Sequence, residues 1–172
     1  MKLFVTGGAG FIGSNYVRHA PAHTDDEVTV YDALTYAGNL STLRDVDDDP
    51  RYHFVKGNIC DPAPLEAAMA GHDAVVHFAA ESHVDRSIVA PDDFVRTNCG
   101  GTNVVLDVAR RVGVERVVHI STDEDYGEVP GGSSHAADTL HTRRPYSKSQ
   151  PAQIMSATRA YDHHATPDGT TP

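Results

Sequence analysis

The stretch KLFVTGGAGFIGS, residues 2–14, decides the fold, because a short apolar run leads directly into a series of spaced glycines. The run Lys2–Thr6 predicts a strand, and Gly7, Gly10 and Gly13 follow it with the spacing GxxGxxG. In such a turn one glycine allows the tight bend, one lets the backbone approach a pyrophosphate, and one packs the helix on the strand. A helix start supplies unpaired N–H groups and a partial positive charge for phosphates. The stretch therefore predicts a dinucleotide-binding turn between the first strand and the first helix.

Apolar runs and helical patterns alternate along the rest of the chain, which predicts a parallel sheet with crossover helices. The remaining predicted strands are Glu27–Tyr31, Tyr52–Lys56, Asp73–Phe78 and Arg116–Ser121. The predicted helices are one that starts at Gly13–His19 and is closed by Pro21, a short one at Pro62–Met69, and Pro91–Val112, in which Gly100 and Gly101 indicate a close packing contact. This order of elements is typical of an α/β protein with a Rossmann-type doubly wound parallel sheet.

Composition and charge exclude several classes of protein. The 172 residues include 14 Lys and Arg against 24 Asp and Glu, and the net charge of −10 opposes binding to nucleic acid or to an anionic membrane. The sequence has no apolar run of the ~18–20 residues that a bilayer span needs. Its start lacks a signal-peptide pattern, so we expect a cytoplasmic protein. Cys60 and Cys99 form no CxxC pattern, and the adjacent His163 and His164 point to different sides of a helix, so we expect no metal site.

An acidic residue, Asp32, stands at the end of the second predicted strand, in the run VTVYD. Its carboxylate would accept hydrogen bonds from the adenosine ribose hydroxyls and would repel a 2′-phosphate. No Arg or Lys follows directly to offset that repulsion, so the position favours NAD over NADP as the cofactor. The alternative interpretation is a solvated turn aspartate, which the glycine turn ahead of it disfavours.

Five strings of residues together resemble a known family. They are GGAGFIGS (7–14), DALTYAGN (32–39), FAAESHVDRS (78–87), TNCGGT (97–102) and HISTDEDYG (119–127). They are similar to the extended short-chain dehydrogenase/reductases, and specifically to the dTDP-glucose 4,6-dehydratases. The resemblance implies a doubly wound sheet followed by a smaller substrate domain. Since this chain has roughly half the family's length, we expect a truncated fold without that C-terminal domain. We expect residues 1–127 to form the NAD-binding core, and residues 128–172 to form a loop, the catalytic-tyrosine segment and an irregular tail.

The resemblance also implies catalytic roles for four residues in the dehydration of a nucleotide sugar. Tyr146 would take the carbon-4 hydroxyl proton as hydride leaves, and Thr122 would hydrogen-bond the oxygen on carbon 4. Glu124 would act as the base at carbon 5 and Asp123 as the acid at carbon 6. Two carboxyl groups with opposite roles need environments that separate their pKa values.

The remaining site residues expected from the resemblance contact the cofactor or the substrate. The expected cofactor contacts are Gly7, Gly10, Phe11, Ile12, Gly13, Asp32, Ala33, Leu34, Thr35, Asn58, Ile59, Ala79, Ala80 and Thr97. Ser82 is the expected contact to the nucleotide-sugar substrate. The predicted strand Arg116–Ser121 would present an open apolar edge, so we also expect a homodimer or other self-association.

The chain departs from the family pattern after the catalytic tyrosine. The family pairs its tyrosine with a lysine four residues later, whereas this chain has Gln150, and Pro151 follows it. The family lysine lowers the tyrosine pKa by its positive charge, and a proline inside a helix costs about 3 kcal/mol. These departures leave two alternatives open: a catalytically inactive, truncated dinucleotide-binding remnant, or a sugar-nucleotide epimerase or decarboxylase. The Asp123–Glu124 pair argues against the second alternative.

Overall fold

A computed structural model of the protein describes residues 1–83 and 91–122. The strands are β1 (Lys2–Thr6), β2 (Glu27–Asp32), β3 (Tyr52–Lys56), β4 (Ala74–His77) and β5 (Arg116–His119). The α-helices are α1 (Phe11–His23), α2 (Pro62–Met69), α3 (Pro91–Phe94) and α4 (Thr102–Val112). A 3-10 helix covers Leu40–Val46, and a π-helical stretch, Val95–Gly101, joins α3 to α4.

The five strands form one parallel sheet in the order β3-β2-β1-β4-β5. The chain therefore starts in the centre of the sheet, moves outward to β3, and returns past β1 to β4 and β5. This reversal of direction beside β1 is the switch point at which doubly wound sheets bind their ligands. The predicted Rossmann-type fold is confirmed.

Helices cover both faces of the sheet. Alternate residues of each strand point to opposite faces, so apolar side chains on both faces are available to pack against helices. In β1, Leu3 and Val5 pack in a cluster with Val17 of α1, whereas Phe4 packs in a second cluster with Leu65 of α2 and Val105 of α4. Both clusters are formed by buried side chains, and β1, like β2 and β4, contributes residues to each of them. Packing on both faces fixes the position of β1, and the carboxyl end of β1 in turn fixes the position of the glycine turn that follows it.

The first helix differs from its prediction at both ends. It begins at Phe11, directly after Gly10, and it continues through Pro21 to His23. Proline is tolerated there because Pro21 lies in the last turn, where few further helical bonds are lost. The Arg51 guanidinium also donates to the carbonyl oxygens of Pro21 at 3.0 Å and Thr24 at 2.9 Å, and so satisfies the end of the helix.

The predicted close contact at the glycine pair lies at one of the two positions. A Cβ on Gly101 would approach Cδ1 of Ile59 to 2.6 Å, so this glycine lets the helix pack against the residue that follows β3. Gly100 has open space where a Cβ would lie, and the prediction was wrong there. The helical pattern alone does not determine which of two adjacent residues faces the sheet.

Candidate dinucleotide site at the carboxyl ends of the strands

The predicted cofactor residues that the structure describes lie close to the carboxyl ends of the strands. Because the sheet is parallel, all five ends lie along one edge, and the segments that follow β1 to β4 form a continuous row there. The segments are the glycine turn after β1, Asp32 at the end of β2 with Ala33 to Thr35 after it, Asn58 and Ile59 after β3, and Ala79 to Ser82 after β4.

The glycine turn bends sharply because Gly7 adopts a left-handed conformation with φ of 70°. Its N–H donates to the carbonyl oxygen of Tyr31 at 2.9 Å, which ties the turn to β2. A Cβ on Gly7 would lie 2.6 Å from the backbone nitrogen of Ala79, so the turn also sits directly against the end of β4. Only glycine satisfies both the backbone conformation and this close approach.

The other two glycines of the turn differ in what surrounds them. A Cβ on Gly13 would overlap the carbonyl oxygen of Gly7, so this glycine is needed for the packing of α1 on the turn. A Cβ on Gly10 would meet one neighbour within 4 Å, the same carbonyl oxygen at 3.3 Å, and otherwise points into open space. Gly10 therefore leaves room for a ligand to approach the backbone, the role that one glycine of this motif is expected to have.

The N-terminus of α1 faces this open space with N–H groups that have no hydrogen-bond partner within residues 1–83 and 91–122. The first helical hydrogen bond is donated by Ser14 to the carbonyl oxygen of Gly10 at 2.9 Å, so the N–H groups of Phe11, Ile12 and Gly13 precede the helical ladder. Gly10 provides no side-chain cap, and the first turn contains no acidic residue. The side chains of Phe11 and Ile12 are 85% and 64% exposed. This helix end can bind a phosphate through its N–H groups and its partial positive charge.

Asp32 is held in place by two backbone N–H groups. Oδ2 accepts from Ala9 at 3.0 Å and Oδ1 accepts from Leu34 at 2.8 Å. A carboxylate has about four lone-pair positions, so each oxygen retains capacity for a further donor such as a ribose hydroxyl. Leu34 adopts a φ of 51°, a conformation that is costly for leucine and is found mostly at functional sites. In this strained conformation the N–H group of Leu34 points at the Asp32 carboxylate.

The segment after β3 is shaped by Asn58 and Ile59. The Asn58 side-chain oxygen accepts from the N–H of Cys60 at 2.9 Å, which forms a turn at the strand end. The Ile59 side chain is 5% exposed and packs against Gly101, so it is the backbone of Ile59 that is available to a ligand.

The segment after β4 is fixed by a side chain that the sequence analysis did not single out. Asn98 is fully buried, and its Oδ1 accepts from the N–H of Glu81 at 2.8 Å while its Nδ2 donates to the Glu81 carbonyl oxygen at 3.0 Å. Its position four residues before Thr102, another buried polar residue on the same helical face, was a signal that could have identified it. Asn98 sets the path of the backbone from Ala79 to Ser82.

A buried polar network lies directly behind the glycine turn. His77 Nδ1 is 2.5 Å from the hydroxyl of Thr6, and His77 Nε2 is 3.0 Å from the hydroxyl of Thr102. The Thr6 hydroxyl also accepts from the N–H of Ala79 at 3.4 Å. Burial, and to a smaller extent the His119 ring 5.2 Å away between centroids, lowers the pKa of His77 to about 3. The neutral imidazole thus links β1, β4 and α4 beneath the site.

The remaining predicted site residues lie beside the cleft or outside the described residues. Ser82 is exposed after β4, and Thr97 is half-buried in the π-helical stretch. Thr122 follows β5 and is half-buried. The predicted catalytic residues Asp123, Glu124 and Tyr146, and the position Gln150, lie outside the described residues.

In residues 1–83 and 91–122, three or more His, Cys, Asp or Glu side chains nowhere come together in a group that could hold a metal ion. Within those same ranges, none of the helices combines the length and apolar character needed to cross a membrane.

The doubly wound sheet, the glycine turn and the aspartate at the end of β2 together define a nucleotide-binding domain of the Rossmann class. The model of the NAD dependent epimerase/dehydratase family matches residues 3–166, and the chain belongs to that family. A dTDP-glucose 4,6-dehydratase from Streptomyces niveus is 48% identical over 162 residues, which are 91% of this chain and 48% of the relative. The corresponding protein of Escherichia coli is 45% identical over 179 residues, with 95% of this chain and 49% of the relative covered.

Solved structures show the same likeness. DesIV, a dTDP-glucose 4,6-dehydratase from Streptomyces venezuelae with NAD and TYD bound, superposes with a TM-score of 0.90 at 49% identity, covering 95% of this chain and 52% of that one. The UDP-glucose 4-epimerase of Thermus thermophilus, in complex with NAD, superposes with a TM-score of 0.85 at 30% identity, covering 95% and 52%. The chain thus spans about half the length of the curated relatives it matches.

Proposed function

We propose that this chain carries the NAD-binding part of a dTDP-glucose 4,6-dehydratase. The observation that carries the proposal is the arrangement at one sheet edge of an open helix N-terminus and a backbone-held carboxylate. The uncapped start of α1 suits the pyrophosphate, and Asp32 suits a ribose with two free hydroxyls. The relatives at 45–50% identity that are named dTDP-glucose 4,6-dehydratases support the choice within the family.

The proposed path of NAD follows the order of the strands. The adenosine ribose lies at Asp32, between Ala33 to Thr35 and Asn58–Ile59, and the pyrophosphate lies over the open side of Gly10. The other half of the dinucleotide then extends past β4, towards Ala79, Ala80 and Thr97. When bound, the cofactor would supply the hydride acceptor in its oxidised form and the hydride donor in its reduced form.

The proposed catalytic residues follow β5 and extend the site in the same direction. Thr122 follows the strand that pairs with β4, and the Ile120 N–H donates to the His77 carbonyl oxygen at 3.1 Å, so the segment leaves the sheet beside the β4 end. Asp123 and Glu124 are the next two residues, and we propose the acid role for the first and the base role for the second. Tyr146 accepts the proton of the carbon-4 hydroxyl, and Ser82 contacts the nucleotide sugar.

We further propose that residues 1–127 act as the NAD-binding core and that residues 128–172 contribute the tyrosine segment. A second candidate function, dinucleotide binding without turnover, is favoured by one observation. Gln150 occupies the position of the family lysine, and glutamine has no charge with which to lower the pKa of Tyr146. An epimerase is less well supported, because the epimerase structure at 30% identity is more distant than the dehydratase at 49%.

Two measurements test these proposals. Calorimetry should show binding of NAD and much weaker binding of NADP, and equal affinities would contradict the role of Asp32. Incubation with dTDP-glucose should give no 4-keto-6-deoxy product at family-like rates, and the substitution Gln150→Lys should accelerate its formation, since general acid–base help is worth about 10²–10⁴-fold. If the chain binds NAD but neither form makes any product, dinucleotide binding without turnover is the correct function.

A further inference from the structure

A side-chain hydrogen bond joins the two segments that flank the glycine turn. The hydroxyl of Tyr36 donates to Oε2 of Glu81 at 2.9 Å. Tyr36 belongs to the loop after β2, and Glu81 belongs to the segment after β4. Since β1 lies between these two strands, the bond crosses above the end of β1 and the glycine turn that follows it. None of the expected roles in cofactor binding or catalysis uses either side chain.

Each of these two residues belongs to a segment that is held in place by hydrogen bonds to the rest of the fold. The loop that carries Tyr36 is tied to the glycine turn at both ends, because Asp32 accepts from the N–H of Ala9 and the N–H of Asn39 donates to the carbonyl oxygen of Ala9 at 2.9 Å. The backbone of Glu81 is held in both directions by the buried Asn98. The fold therefore fixes the positions of the loop after β2 and of the segment after β4, and the Tyr36–Glu81 hydrogen bond joins them across the site.

We propose that Tyr36 and Glu81 are positioning residues that fasten these two segments at the spacing a bound dinucleotide requires, and we call the bond between them the clasp. The inference rests on the proposed NAD site. On the proposed path a dinucleotide contacts both segments, whereas ADP reaches the glycine turn and the segments after β2 and β3 but not the segment after β4. The clasp therefore affects the binding of NAD and leaves the binding of ADP nearly unchanged.

The chemistry of the clasp defines which substitutions break it. The carboxylate accepts a charge-assisted hydrogen bond from the phenol, which is stronger than a neutral one. Tyr36 is 49% exposed, so water competes for both groups, and we expect an effect of about three- to tenfold on affinity. Tyr36→Phe and Glu81→Ala remove the bond, whereas Glu81→Gln keeps an acceptor oxygen at the same place and should rescue it.

The experiment compares these variants with wild type and with Tyr52→Phe as a matched control. Tyr52 opens β3 at the amino end of the sheet, so the control removes a tyrosine hydroxyl away from the site. Calorimetry should show NAD dissociation constants raised about three- to tenfold in Tyr36→Phe and Glu81→Ala, with ADP changed less than about twofold. Glu81→Gln and Tyr52→Phe should resemble wild type. Without ligand, hydrogen exchange of residues 79–82 should be faster in Tyr36→Phe than in wild type.

Several results would overturn the clasp. An unchanged NAD affinity in Tyr36→Phe would do so, and so would an equal loss of NAD and ADP affinity, which indicates a loop that is merely destabilised. Wild-type protein that binds neither NAD nor ADP would contradict the proposed function instead. The exchange comparison then decides the clasp alone, and unchanged exchange at residues 79–82 in Tyr36→Phe would reject it.

Discussion

Protonation of one buried histidine should control the stability of this domain in mild acid. His77 is buried between the hydroxyls of Thr6 and Thr102, and its pKa is lowered from 6.5 to about 3 by burial first and by the His119 ring second. In the unfolded chain His77 has its ordinary pKa of 6.5, so it binds a proton at pH values at which it stays neutral in the folded chain. The free energy of unfolding is therefore highest above pH 6.5 with respect to His77, and it falls progressively as the pH drops towards the folded pKa of about 3.

The magnitude follows from the two pKa values. Each pH unit between them costs about 1.4 kcal/mol, so moving from pH 7.5 to pH 4.5 should lower the free energy of unfolding by about 3 kcal/mol through His77 alone. The carboxyl groups of Asp26 and Asp49 also have lowered pKa values, because the first accepts a hydrogen bond from the Met1 ammonium group and the second from Arg51. They start from an ordinary pKa of 3.8, so their protonation falls mostly below this range.

Urea unfolding at a series of pH values measures the effect. The substitution His77→Gln should lower stability at pH 7.5, because it disturbs a buried hydrogen-bonded position, but its stability should fall by about 3 kcal/mol less than that of wild type on going to pH 4.5. His53→Gln is the matched control, because it removes an imidazole whose side chain is 50% exposed on the outer strand β3, where its Nε2 lies 3.2 Å from Oε1 of Glu27. Parallel pH profiles for wild type and His77→Gln would refute the reasoning.

Three further predictions concern the site and the sheet edge. Asp32→Asn should weaken NAD binding at least about tenfold and reduce the preference over NADP, measured by calorimetry with both, because the amide places a donor near the Ala9 N–H. Gly13→Ala should lower the free energy of unfolding by about 1–3 kcal/mol through overpacking, whereas Gly10→Ala, whose Cβ would meet the Gly7 carbonyl oxygen at 3.3 Å, should lower it less and lose NAD affinity. Amides of residues 117–120, in and directly after the outer strand β5, should exchange faster than those of residues 2–6 in the central strand, and equal protection would contradict the exposed-edge prediction.

The linear pattern of residues was sufficient for the fold class and for the position of the glycine turn. The strands β1 and β3 and the helix α2 have the predicted bounds, and the predicted cofactor positions that the structure describes lie close to the carboxyl edge. The reason is that strand periodicity, turn glycines and an acid after the second strand are local features. A parallel sheet then brings every strand end to the same edge without further information.

Only the tertiary structure decided what each residue does there. It showed that Gly13 is required by packing and that Gly10 is left open for a ligand, although the two are equivalent in the motif. It also brought together Asn98 with Glu81, and Tyr36 with Glu81, across 17 and 45 positions of the sequence. Such contacts depend on the strand order and on which side of a helix faces the sheet. Periodicity specifies neither, because both are settled by how the elements pack against one another.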